Sequence, residues 1–285
     1  YTAPWVRCIF PYMSSSPESE RFRSEAHKYA AYLETPEGRL RSDLALANLE
    51  GLLPRAQTTT PLRALDVGGG IGTTAIQLAR LGVQVTLLDS SEEMLDLANV
   101  NIRRSGLSEK VLLHPGDALQ LGGLFQPASF DVIVCHNVLE YLEKPSKALR
   151  DMAGLLRHNS SLLSVLVRNR AGEVLKSALL AGNLDTAGNN LTAECGDESL
   201  YGGRVRLFTF ESLQGMLHEA SLTAVAERGV RVLADYLPSR VSRVSEYERI
   251  FELERKLGNR PEFAAVARYA QVFANCSDQN TGNKR

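Results

Sequence analysis

The sequence predicts an α/β fold built on a mostly parallel sheet with helices on both faces. Three observations carry that reading. Short apolar runs of strand length alternate with segments of helical period between residues 62 and 167. The first run ends in a glycine cluster, Gly68-Gly69-Gly70-Ile71-Gly72, that opens into a helical segment. The 285 residues are 44% hydrophobic and 23% charged, which suits a globular chain able to bury a core without staples.

The elements follow in order. Residues 14–19 are turn-prone and Arg21–Leu33 has helical character. Leu40, Leu44, Leu46, Leu49 and Leu53 then recur near helical spacing until Pro54 closes the segment, so residues 1–60 read as a helical N-terminal extension. Strand candidates are Leu62–Val67, Val83–Leu88, Val111–His114, Phe130–Cys135 and Leu162–Val167. Helices fall over Thr73–Leu81, Glu92–Ser105 and Pro145–Leu156. After Val167 the alternation breaks, and residues 168–206, rich in Gly, Asn and Arg with an apolar stretch at Val174–Leu180, form an insertion after the fifth strand. Glu211–Ala220 is helical, and Leu222–Val232 and Ala264–Phe273 are late strands separated by a charged helix around Ser245–Leu257. The main domain therefore spans 61–275, and the polar residues 276–285 form a fraying tail.

Composition excludes several classes of function. The balance of 32 basic against 33 acidic residues rules out attachment to nucleic acid by global charge, though not by a local basic face. No apolar run approaches the ~20 residues of a membrane-spanning helix, and the segment around Cys8–Met13 is too short for a signal peptide, so the expected compartment is the cytoplasm. Cys8, Cys135, Cys195 and Cys276 form no C-x-x-C pair and the five histidines lack ligand spacing. Reduced thiols and no metal are expected.

The glycine cluster narrows the cofactor. A nicotinamide fingerprint needs G-x-G-x-x-G, but from Gly68 and Gly70 the third position is Thr73, and from Gly69 the second is Ile71. The pattern that fits is acidic-x-G-x-G-x-G, over Asp66, Gly68, Gly70 and Gly72. Asp89 ends the next strand, 17 residues after Gly72, where a carboxylate accepts both ribose hydroxyls and repels a 2′-phosphate. The same residue could instead cap the following helix. Asp117, after the third strand, suits a turn as well as a ligand contact. His136 and Asn137 end the fourth strand, and ligands in open α/β sheets bind outside the carboxyl ends of strands.

The glycine pattern resembles the first motif of class I S-adenosylmethionine-dependent methyltransferases. A narrower resemblance lies in Glu34-Thr35-Pro36-Glu37-Gly38-Arg39-Leu40-Arg41, Leu180-Ala181-Gly182-Asn183-Leu184-Asp185 and Gly229-Val230-Arg231-Val232-Leu233-Ala234-Asp235-Tyr236-Leu237. These segments are similar to those of the tRNA 5-carboxymethoxyuridine methyltransferases (the CmoM family), and the likeness runs from about Tyr29 to Ala274. It implies a Rossmann-like sheet of seven strands and S-adenosylmethionine as cofactor. Arg41, Gly68, Gly69, Gly70, Asp89, Met94, Asp117, Ala118 and His136 would contact that cofactor, with His136 a contact rather than a base. Asn137, Tyr141, Arg231 and Tyr236 would face the acceptor, with Arg268 and Tyr269 as further candidates. A carboxylate acceptor is already ionised at pH 7 and needs no general base, which agrees with the lack of any Ser-His-Asp or Cys-His arrangement. The expected partner is tRNA or a small carboxylate. Family members carry a lysine-rich run after the A-G-N-[FL]-D segment, whereas residues 168–206 here hold five basic and five acidic residues. A small-molecule O- or N-methyltransferase is the alternative reading.

Overall fold

A computed structural model describes residues 17–54, 60–198 and 202–277. Two helices come first, α1 (Pro17–Glu34) and α2 (Pro36–Glu50). The Thr35 hydroxyl accepts from the Gly38 N–H at 3.1 Å and Pro36 stands in the first turn, so α2 starts where local chemistry dictates. The alternating half follows as β1 (Arg63–Val67), α3 (Thr73–Arg80), β2 (Gln84–Asp89), α4 (Glu92–Arg104) and β3 (Val111–Pro115). It continues through α5 (Leu121–Leu124), β4 (Val132–His136), α6 (Pro145–Leu155) and β5 (Leu162–Arg168). The segment after β5 holds α7 (Arg170–Leu179), α8 (Leu184–Asn190) and a small antiparallel pair, β6 (Cys195–Asp197) with β7 (Arg204–Arg206). The chain then forms α9 (Phe210–Glu219), β8 (Leu222–Val230), α10 (Tyr247–Gly258), α11 (Pro261–Ala264) and β9 (Tyr269–Cys276).

The main sheet has seven strands in the order β3-β2-β1-β4-β5-β9-β8. Strands β1 to β5 pair in parallel, and β9 runs antiparallel between β5 and β8. Strand order reverses direction between β1 and β4, which opens a crevice at their carboxyl ends. Both faces are covered. Leu65, Ile133, Cys135 and Val165 pack with Leu149 and Met152 of α6 and with Leu213 and Leu217 of α9. Their strand neighbours Ala64, Val132 and Val134 pack with Leu78 of α3 and with Ala98 and Ile102 of α4. Burial on both sides explains why these strands read as continuous apolar runs rather than alternating ones. Leu40, Leu44 and Ala45 of α2 pack against Leu166, Val230, Ile250 and Tyr269, fixing the N-terminal helices over the β5–β9–β8 side. Among the described residues no helix is long and apolar enough to cross a membrane.

Two late elements differ from the sequence expectation. Strand β8 stops at Val230 because Arg231 adopts a left-handed backbone, φ 61°. The expected strand at 264–273 instead begins at Tyr269 and continues to Cys276. Pro261, in the first turn of α11, starts a helical turn that takes in Ala264. Cys135 and Cys276 are free thiols, but Cys195 is disulfide-bonded, which corrects the expectation of a reduced thiol there.

Helix α10 closes over β8 through glycine. A Cβ on Gly258 would sit 2.2 Å from the Gly229 carbonyl oxygen, so the helix approaches the strand only without a side chain. Gly258→Ala is expected to lower unfolding stability by about 1–3 kcal/mol in urea titrations. Gly188→Ala, where a Cβ meets open space, serves as the control that leaves the transition in place or raises it slightly.

Candidate active site

The carboxyl ends of β1, β2, β4 and β5 border a cavity of about 470 Å³ that reaches from the glycine loop to Tyr269. The loop is anchored by its own backbone. Gly68 and Gly69 N–H groups both donate to the Leu88 carbonyl, at 2.7 and 3.1 Å. Gly68 has φ 65°, and a Cβ there would lie 2.5 Å from Val138, so the position demands glycine on two counts. Gly70 donates its N–H to Asp89 Oδ2 at 2.8 Å, and the Ser91 N–H donates to Oδ1 at 2.9 Å. The cap of α4 is Ser91, whose hydroxyl accepts from the Met94 N–H, so Asp89 remains on the cavity wall. Burial raises the Asp89 carboxyl, and the N–H groups of Ser91 and Gly70 partly restrain the rise.

Of the positions expected at the cofactor, Arg41, Gly68, Gly70, Asp89, Met94, Asp117, Ala118 and His136 line this cavity. Gly69 borders a smaller adjoining cavity instead, where a Cβ would meet Leu87 at 2.5 Å and Asp66 at 2.9 Å. Asp117 also accepts the Leu119 N–H at 2.7 Å, so it shapes its turn while facing the cavity. Of the expected acceptor-side residues, Asn137, Tyr141 and Arg231 line the cavity. Tyr236 is not on that wall, and its phenol instead faces the Gly172 carbonyl at 3.5 Å.

His136 Nε2 lies 2.8 Å from Ser164 Oγ. Burial, reinforced by the Arg41 charge, pushes its imidazolium down to about 3, so the ring is neutral at physiological pH. A ring that weakly basic makes a contact, not a general base. Asn137, at φ 56°, donates to Glu140 Oε1 at 3.0 Å, and the Glu140 carboxyl is fully buried and raised by that burial.

The far wall is basic, and sequence reasoning found only part of it. The buried phenol of Tyr269 is surrounded by Arg41, Arg168, Arg231 and Arg268. Arg231 Nε donates to Asp235 at 3.0 Å and its Nη1 donates to the Tyr32 hydroxyl at 3.0 Å. Arg268 donates to Glu173 at 2.7 Å. Arg41 lies over the rings of Tyr29, Tyr32 and Tyr269 at 5.8, 5.1 and 5.7 Å, and donates to the Tyr29 hydroxyl at 3.1 Å. Among the described residues Arg41 has no carboxylate partner. Tyr29, Tyr32, Glu140, Arg168 and Glu198 also line the cavity and were not singled out from sequence. Arg168 carried a usable signal, because it is the charged last residue of an apolar strand, as His136 is.

A family model described as "Methyltransferase domain" matches residues 65–164. The tRNA 5-carboxymethoxyuridine methyltransferase of Escherichia coli K12 is 30% identical over 246 residues, covering 84% of this chain and 89% of that protein. This chain is a class I S-adenosylmethionine-dependent methyltransferase. A ubiquinone biosynthesis O-methyltransferase of Xanthomonas euvesicatoria is 35% identical, but over 40% of this chain and 46% of its own length. A solved S-adenosylmethionine-dependent methyltransferase of Thermotoga maritima shares the fold, with a TM-score of 0.60 at 16% identity over 90% of this chain and 98% of that one.

The residues present fit the cofactor of this methyltransferase class. The glycine loop keeps the β1 end clear of side chains at Gly68 and Gly70, and Asp89 presents a carboxylate at the β2 end. Arg41 offers a buried guanidinium that makes no ion pair among the described residues.

The basic wall makes a titration prediction. Burial pushes the Tyr269 phenol up, but the guanidiniums of Arg41, Arg231, Arg168 and Arg268 more than offset this and bring it down to about 8. Ultraviolet phenolate absorbance of the native methyltransferase should show one tyrosine ionising near pH 8, lost in Tyr269→Phe. An unfolded tyrosine keeps its proton to about 10, so this group adds stability as pH rises from about 8 to 10 and loses it again as pH falls through 8.

Proposed function

We propose that this methyltransferase acts on a carboxylate oxygen, and that the acceptor is the carboxymethoxy group of a modified wobble uridine in tRNA. The observation that carries the reading is the guanidinium wall around Tyr269, facing the same cavity as the glycine loop. Similarity to the Escherichia coli tRNA enzyme over most of both chains supports the nucleoside. When bound, S-adenosylmethionine supplies a methyl group on a sulfonium, whose transfer to a carboxylate consumes one positive and one negative charge and releases no proton.

The chain's residues then divide the work. Asp89 accepts the ribose hydroxyls, Asp117 and Ala118 border the adenine, and Met94 packs beside the nucleoside. Arg41 pairs with the methionine carboxylate of the cofactor, and neutral His136 contacts the same portion. Asn137 and Tyr141 border the acceptor. Arg231 commits its guanidinium to Asp235 and Tyr32, so its part is to hold the wall in shape rather than to grip the acceptor. Catalysis rests on alignment of the acceptor oxygen and on replacing its water shell with fixed donors.

A small apolar acid is the second reading, and one observation favours it. The α7–α8 segment, whose Lys176 and Leu180 reach the cavity, exposes Leu179, Leu180, Leu184 and Leu191 where a tRNA enzyme would gain from lysines.

Purified protein, S-adenosylmethionine and carboxymethoxyuridine-bearing tRNA, followed by mass spectrometry of the nucleosides, should yield the methyl ester. No ester on tRNA, with ester formed on a small carboxylic acid, would select the second reading. Arg41→Gln should weaken S-adenosylmethionine binding by about tenfold or more in calorimetric titration, while Lys176→Gln leaves it within about twofold.

A further inference from the structure

Several basic side chains face the cavity, and most are already spoken for. Arg231 is held by Asp235, Arg243 by Glu37 at 3.3 Å, and Lys176 and Arg268 by Glu173 at 3.2 and 2.7 Å. The reaction proposed above brings two carboxylates into the cleft, one on the cofactor and one on the acceptor. Arg41 accounts for the first. Among the described residues that line the cavity, Arg168 is the cation with a buried nitrogen that lacks a hydrogen-bond partner.

Arg168 closes β5 beside Tyr269, its register partner on β9. Its Nη2 is ion-paired with Glu198, from the segment that follows β6, and that carboxylate also accepts from the Tyr141 hydroxyl at 3.1 Å. Among the described residues its Nη1 is buried with no hydrogen-bond partner; Glu173 is 3.9 Å away, and the buried Glu140 also acts on the guanidinium through its charge. A guanidinium suits a carboxylate that bridges two of its nitrogens, and Glu198 takes only one. A buried donor left unpaired is costly, so the arrangement favours a ligand that pairs both. Arg168, Glu198 and Tyr141 all line the cavity.

Resting on the carboxylate-acceptor reading, we propose that Arg168 receives the acceptor's carboxylate, and that Glu198 is the resident counter-ion which the acceptor displaces. The exchange is acid for acid on one guanidinium, so the net charge of the buried pair is conserved. It also separates substrate from product. The ester carries no negative charge, so after transfer Glu198 regains Arg168 and the product is released.

The two partners should therefore respond in opposite directions. The measurements are steady-state methyl transfer to carboxymethoxyuridine-bearing tRNA, and binding of the acid and methyl-ester forms of that tRNA in the presence of S-adenosylhomocysteine. Arg168→Gln should raise the acceptor KM and reduce the preference for acid over ester by about 10- to 100-fold. Glu198→Gln should lower the acceptor KM and tighten acid binding. Calorimetric binding of S-adenosylhomocysteine checks that each variant is folded, and Arg168→Lys should restore part of the acid preference.

An Arg168→Gln enzyme with unchanged KM and unchanged acid preference overturns the assignment while leaving the acceptor reading intact. A Glu198→Gln enzyme whose KM rises with that of Arg168→Gln overturns the exchange, since the acid would then merely position the guanidinium. A wild-type enzyme that neither methylates this tRNA nor prefers its acid form overturns the acceptor reading itself, and the inference with it.

Discussion

The burial of one tyrosine among four guanidiniums organises the functional half of this molecule. Strand β9 runs antiparallel between β5 and β8, so its first residue stands beside the carboxyl end of β5. Tyr269 is therefore in register with Arg168 on one side and with Val230 on the other, immediately before Arg231. The N-terminal helices add Tyr32 and Arg41 from above. Buried cations on this scale are costly unless paired, and Glu173, Glu198 and Asp235 supply the pairing while aromatic rings carry Arg41. Glu254, itself buried, accepts from the N–H groups of Val232, Leu233 and Ala234, which holds the left-handed turn at Arg231 in place.

This constraint gives the cleft an electrical axis. At the β2 and β3 ends Asp89 and Asp117 offer carboxylates, suited to hydroxyl and amine donors of a nucleoside. At the β5, β8 and β9 ends the wall offers guanidiniums, suited to carboxylates. Between them His136 is kept neutral by burial and by the Arg41 charge. A cavity of this polarity suits S-adenosylmethionine, which has a nucleoside at one end and an acid at the other.

The glycine-loop end of the cleft was readable in the sequence and the basic end only partly so. A glycine loop is local: its φ angles, its close approach to Val138 and its link to Asp89 all follow from residues within one βαβ unit. The basic wall is not local. Arg41, Arg168, Arg231 and Arg268 meet only because an antiparallel strand is inserted into a parallel sheet. That strand is buried along most of its length, so its residues show no alternation from which to read a boundary. The segment before it is equally apolar, and the expected start at Ala264 therefore fell in the helical turn of α11 rather than at Tyr269. Glu198 escaped for a related reason, since a counter-ion thirty residues from its partner leaves no spacing signature. Tyr236 shows the converse error: a residue inside a matching segment need not face the cavity, and the 3-10 turn at Ala234–Tyr236 turns its ring toward α7.

The most direct test of the account is a crystal structure of the methyltransferase with S-adenosylhomocysteine and an anticodon stem-loop bearing carboxymethoxyuridine. The expected result is adenosine on the Asp89 side, the cofactor carboxylate at Arg41, and the acceptor carboxylate against Arg168 and Tyr269 with an oxygen directed at the cofactor sulfur. An acceptor carboxylate lying away from that wall, or an adenosine bound outside the glycine loop, would contradict it.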